Sequence, residues 1–139
     1  MNAVTRRKLT EQLSRLSGRA AADIRGRILG DGSVRAAAEA LHAAENVGQG
    51  FELWTDLLAR RAAVMWVLRS VYLRVLEDRG LLRPRRLLDE ESEQLFRRLA
   101  PDLGEAAYLR WVYRDLASPA TGLAELSAPT PAEVAQPGD

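Results

Sequence analysis

Apolar residues recur along this chain in steps of three and four, and no run alternates with polar residues in steps of two. The pattern predicts an all-α protein. A first helix is expected from about Val4 to Leu29, with Leu9, Leu13, Leu16, Ala20, Ile24 and Ile28 on one stripe that lies against a neighbour. Gly18 inside it costs on the order of 1 kcal/mol relative to alanine and marks a possible kink. Gly30-Asp31-Gly32-Ser33 reads as a turn, with Ser33 as N-cap of an alanine-rich second helix from Val34 to about Asn46. After Gly48-Gln49-Gly50 comes the longest apolar segment, Phe51 to Leu82, which has no proline and no glycine before Gly80. Gly80 stands where a left-handed residue closes a helix, and Pro84 follows. Asp89 is the expected N-cap of a fourth helix bearing Leu95, Phe96 and Leu99, which Pro101 closes. A fifth, from about Gly104 to Ala117, carries Tyr108, Leu109, Trp111, Val112 and Leu116 and stops at Pro119.

The third helix organises this reading. At 100° per residue, Glu52, Asp56, Arg60, Ser70, Arg74, Glu77 and Asp78 fall within one sector, the expected solvent stripe. Asp56 with Arg60 and Arg74 with Asp78 are spaced as ion pairs on it. The remaining sector, roughly 220° wide, holds Phe51, Leu53, Trp54, Leu57, Leu58, Val64, Met65, Trp66, Leu68, Val71, Tyr72, Leu73, Val75 and Leu76. So broad an apolar surface predicts a hub covered by neighbours on most sides. The expected fold is therefore about five helices around one long central helix. Residues 1–117 form the helical domain. The stretch 118–139, with four prolines and two glycines, forms an irregular tail or linker.

Composition narrows the chemistry. The chain has 139 residues, no cysteine and one histidine, His42, so thiolate chemistry and disulfides are excluded and no metal site is expected. Net charge is +1, which gives no global basic field for nucleic acid. The last 39 residues carry two basic side chains against six acidic ones. Nineteen of the twenty basic residues are arginine, which suits bidentate contacts to carboxylate or phosphate and is equally what GC-rich coding produces. The opening residues are charged where a leader would be apolar, and no long uncharged stretch exists, so no membrane association and a cytoplasmic location are expected.

Two features do not fit a plain bundle. Arg61 and Arg69 project into the apolar sector of the third helix, so each needs a carboxylate, a set of carbonyls, an aromatic face or an external anion. Internal carboxylates are available in Glu90, Glu91, Glu93, Asp102, Glu105 and Asp115. Arg79, Arg83, Arg85 and Arg86 gather four guanidiniums in eight residues, which can grip a phosphate backbone or pair with Glu90 and Glu91. Glu77 and Asp78 are adjacent, but no nucleophile, metal cluster or phosphate loop accompanies them, so no catalytic residue is assigned.

The segment from Arg61 to Leu82 resembles the N-terminal region of large adenine-specific DNA methyltransferases of bacterial phage-defence systems, the BREX PglX and DISARM type. Those proteins carry a helix of the form A-V-x-W-V-L-x-x-V-[FY]-x-R-[FV]-x-E-D-x-G-L. It is matched here by Ala63, Val64, Trp66, Val67, Leu68, Val71, Tyr72, Arg74, Glu77, Asp78, Gly80 and Leu81. Val75 and Arg79, where the family usually has Phe and Asn, make the DISARM branch the nearer one. The stretch Leu95–Ala117 looks like the family's next helices. The likeness covers about Phe51 to Asp139.

Such an enzyme needs a glycine-rich turn for S-adenosylmethionine and an Asn/Asp-Pro-Pro-Tyr/Phe motif around the flipped adenine, and neither is in these residues. The resemblance thus implies a non-catalytic helical domain, as a fragment, a split protein or a stand-alone relative. S-adenosylmethionine would belong to a catalytic domain elsewhere. The implied partners are DNA, other defence-system subunits or a downstream methyltransferase domain. The alternative is a stand-alone protein-interaction module, docking through the first helix or the exposed part of the third.

Overall fold

The computed structural model describes residues 2–83, 85–87, 89–118 and 121–138, apart from the side chain of Leu126. Pro84 and Pro119, two of the expected helix stops, lie outside them. The described residues are all-helical: α1 (Ala3–Gly30), α2 (Gly32–Glu45), α3 (Phe51–Asp78), α4 (Glu90–Leu99), α5 (Glu105–Leu116) and a single turn, α6 (Ala124–Ser127).

Local chemistry sets the boundaries. Asn2 caps α1 by accepting from the Thr5 amide. Asp31 both ends α1 and caps α2, its carboxylate accepting from the amides of Ser33 and Val34. The expected cap Ser33 instead donates its hydroxyl to Asp31 at 2.7 Å. An ionised carboxylate outcompetes a hydroxyl for amide protons, so the cap falls two residues earlier. Asp89 caps α4 by accepting from the Ser92 amide. Gly80 takes φ +68° beyond the end of α3, and Leu81 and Leu82 return their amides to the Leu76 carbonyl, the closure expected of a glycine there. Gly18 does not break α1.

The chain divides into two compact units, and the division falls inside α3. One unit is Met1–Val67 with Thr130–Pro137, the other Leu68–Pro129 with Gly138–Asp139. The first has its core where Ala20, Ile24 and Ile28 of α1, Ala38 of α2, and Trp54, Leu58, Ala59, Ala62 and Ala63 of α3 meet. Alanine on all three helices lets the backbones approach closely. Leu9 and Leu16, on the N-terminal half of the α1 stripe, stay exposed. At 1.5 Å per residue, the 14 residues of α2 can cover only half the length of the 28-residue α1.

Parts of the last segment are packed. Ala135 is buried in the first core, with Ala132 and Val134 packed against it. Arg27 donates to the Gln136 carbonyl at 3.1 Å. In the second unit, α6 rests on α5. Small residues and prolines suit a strap that lies flat on helices, because it orders at low side-chain entropy cost. Among the described residues of 118–139, Ala132, Val134 and Ala135 thus pack in the first unit and α6 in the second.

The second unit is built on the C-terminal part of α3 and on α5, with Leu73, Leu82, Tyr108, Val112, Tyr113 and Leu116 buried. Phe96, Tyr108 and Trp111 form an aromatic cluster with ring centroids 5.4 to 6.0 Å apart. Tyr108 is the buried member, with Phe96 half-buried and Trp111 exposed at the edge, so the rings pack on one another where the second core meets water.

Candidate functional site

The expected hub is covered on one side only. Leu53, Leu57, Val64, Met65, Leu68, Val71, Tyr72 and Val75 of α3 are all exposed, Leu53 and Leu68 by 57%. Their spacing places them in one stripe, with Leu57, Arg61, Val64, Leu68, Val71 and Val75 in alternate steps of four and three and Met65 and Tyr72 alongside. Around the rest of the helix the chain is packed, with Ala62 and Leu73 opposite the stripe and Trp54, Leu58 and Val67 on its flanks. The helix thus has two apolar faces, and the chain's own elements occupy one. Asp56–Arg60 and Arg74–Asp78, each at 3.0 Å, form the expected ion pairs along one flank of the open stripe. Beside it in the first unit, Ser17, Gly18, Ala21, Ala22 and Arg25 of α1 and Asp56, Arg60 and Val64 of α3 line an open groove of about 460 Å³.

Arg61 lies on this stripe and is exposed, so the burial that called for an internal partner does not arise. Arg69 is buried, 6% exposed. It donates to the Ala128 carbonyl at 3.2 Å and sits 5.5 Å from the centre of the Tyr113 ring. These contacts make Arg69 a tie between α3 and the chain around α6.

The four loop arginines are not brought together. Arg79, Arg83 and Arg85 are exposed, and among the described residues no ion pair joins them to Glu90 or Glu91. The Arg83 guanidinium folds back over Gly80, where an added Cβ would lie 3.2 Å from it. Arg86 turns inward, with Nε 3.1 Å from an Asp115 carboxylate oxygen, and its carbonyl accepts from the Tyr108 hydroxyl. Arg86 therefore fastens the loop, and Arg79, Arg83 and Arg85 are the ones left exposed.

The residue that positions the loop is Glu77, assigned to the solvent stripe by its angle on the helix. It is fully buried. Its Oε1 accepts from the Arg86 amide and, at 2.7 Å, from the Leu87 amide. Its other oxygen is buried and has no hydrogen-bond partner among the described residues. Ser70, on the same edge of the wheel, is hydrogen-bonded to the Tyr113 hydroxyl. The available signal was the place of Glu77 in the last turn of α3, where the helix dipole disfavours a carboxylate. Burial raises the pKa of the nearby Tyr108 hydroxyl, and the charges of Asp89, Glu93 and Glu77 add to the effect.

Among the described residues no group of three His, Cys, Asp or Glu could hold a metal ion, and no helix is long and apolar enough to cross a membrane. His42 is engaged locally: Nε2 lies 2.8 Å from the Gln49 carbonyl oxygen, and the ring packs on Phe51 and Trp54. A cavity of about 300 Å³ between α4 and α5 is lined by Glu93, Phe96, Arg97, Leu103, Glu105 and Tyr108, among others. It combines charges of both signs with no convergent set of donors. No protein-family model, no curated protein and no solved structure matches this chain.

Proposed function

We propose that this chain is a non-catalytic helical module that holds a protein partner against the open face of α3. The setting is the one its resemblance implies, the N-terminal region of an adenine-specific DNA methyltransferase of a phage-defence system. The observation that carries the docking role is the stripe of eight exposed apolar side chains. Together they present roughly 700 Å² to water, above the ~300–600 Å² of the largest patch on a typical monomer. Val64, Leu68, Val71 and Tyr72 belong both to this stripe and to the segment of resemblance. That overlap supports linking the two.

The test uses the absence of native cysteine. In Leu68→Cys, the thiol of the folded chain at nanomolar concentration should react with a maleimide at close to the rate of an unfolded control. Protection by about 100-fold or more would mean that the chain's own fold covers the face, and the docking reading would fail.

A second reading, DNA contact through the loop after α3, is favoured by the exposure of Arg79, Arg83 and Arg85. If all three meet phosphates, replacing them with alanine should lower the slope of log affinity against log salt by about 2.7, at ~0.9 per contact. An unchanged slope and affinity would remove this loop from any DNA interface.

A further inference from the structure

The face of α3 is self-complementary in one orientation. Leu57, Arg61, Val64, Leu68, Val71 and Val75 follow the a/d spacing of a coiled coil, with Arg61, Leu68 and Val75 at a and Leu57, Val64 and Val71 at d. In a parallel pair each residue meets its own copy, so Arg61 would face Arg61 across the seam with no acidic residue at a or d near it. In an antiparallel pair a faces d. Arg61 then faces Val71 of the second copy, with the neighbouring Tyr72 ring available for its guanidinium. Val64 faces Leu68 of the second copy, and Leu57 faces Val75. All three layers are satisfied by the same register, centred close to Trp66.

The area also fits. Roughly 700 Å² from each copy gives about 1,400 Å² removed from water, within the range of about 1,200–2,000 Å² for specific interfaces. The stripe runs along a single helix of 28 residues, and long helices with an a/d apolar repeat are the usual elements of such a seam.

We infer that the occupant of this face is a second copy of the chain, packed antiparallel along α3. The inference rests on the docking reading above and names its partner.

Light scattering of the whole chain at roughly 100 μM should give twice the mass of one chain, returning to one on dilution. Leu68→Glu should stay monomeric at every concentration, with unchanged far-ultraviolet circular dichroism. Cysteine variants fix the orientation. Under mild oxidation a mixture of Leu57→Cys and Val75→Cys chains should cross-link to each other, and neither should cross-link alone. A wild-type chain that stays monomeric overturns the inference. If each cysteine variant instead links readily to itself, the copies are parallel and the inference is again wrong.

These failures remain distinct from failure of the docking reading. A monomer whose Leu68→Cys thiol labels freely keeps an open docking face and excludes only the second copy. Protection at nanomolar concentration removes the face itself.

Discussion

Replacing Glu77 with alanine tests whether one buried carboxylate holds the arginine loop. Glu77 is completely shielded and accepts from the amides of Arg86 and Leu87. A hydrogen bond to a charged group contributes about 1.5–3 kcal/mol, and its removal leaves a buried donor unsatisfied. Two such bonds set an upper bound near ~6 kcal/mol. Part is offset, because the variant no longer holds a charge out of water whose second oxygen has no partner among the described residues. The net loss expected is about 2–4 kcal/mol. With a urea m-value of roughly 2 kcal/mol/M, the unfolding midpoint should fall by about 1–2 M. Fluorescence and circular dichroism transitions must coincide for that conversion to hold. Glu77→Gln keeps one carbonyl oxygen for the two amides and should recover about half of the loss. Hydrogen exchange at the Arg86 and Leu87 amides should accelerate far more than at α1 amides. An alanine variant within ~0.5 kcal/mol of wild type, with those amides still protected, would refute the assigned role.

The one-sided packing of α3 separates two adjacent leucines. Leu58→Ala should cost about 2–5 kcal/mol because Leu58 is 2% exposed in the first core, while Leu57→Ala on the open face should cost less than ~1 kcal/mol in the monomer. Equal costs by urea denaturation would mean that both faces are covered. The carboxyls of Asp31 and Asp89 are held below the usual 3.8, first by the hydroxyls of Ser33 and Ser92 and then by backbone amides. A lowered folded pKa stabilises above the unfolded value and loses that contribution as pH falls through the folded one. The stability deficit of an Asp31→Ala, Asp89→Ala double variant should thus be full above pH 3.8 and shrink below it. A deficit that does not change with acidification would show that the caps do not act through ionised carboxylates.

What could be read from the sequence was local. The helices, the glycine closure at Gly80 and the carboxylate cap at Asp89 depend on residues within one turn of each other, and spacing alone determines them. The cap of α2 moved from Ser33 to Asp31 because the two compete for the same amides, and charge decides between them. Faces were harder. Periodicity gives the angle of a residue on its helix but not what lies opposite. Glu77 and Ser70 share a sector with Asp56 and Arg74, yet the first two meet the chain and the others meet water. The packing of Ala132, Val134 and Ala135 was not legible for a similar reason, since composition measures how much a segment can bury and not which few residues dock.

The two apolar faces of α3 constrain any account of this protein. A helix needing only to complete its own bundle requires one apolar stripe of a little over 100°. Polar residues opposite it carry no packing cost and improve solubility. Eight large apolar side chains on the outward face work against both solubility and a single folded state unless something covers them. The charged flank shows that the sequence is able to place ion pairs along α3, as at Asp56–Arg60 and Arg74–Asp78, and it does not place them on this stripe. Arg61 is the single interruption. A lone charged a-position residue in an apolar seam lowers affinity while selecting register and orientation. Arg61→Leu should therefore strengthen self-association and weaken the preference for antiparallel pairing. If association is unchanged, Arg61 lies outside the contact and the register centred near Trp66 is incorrect.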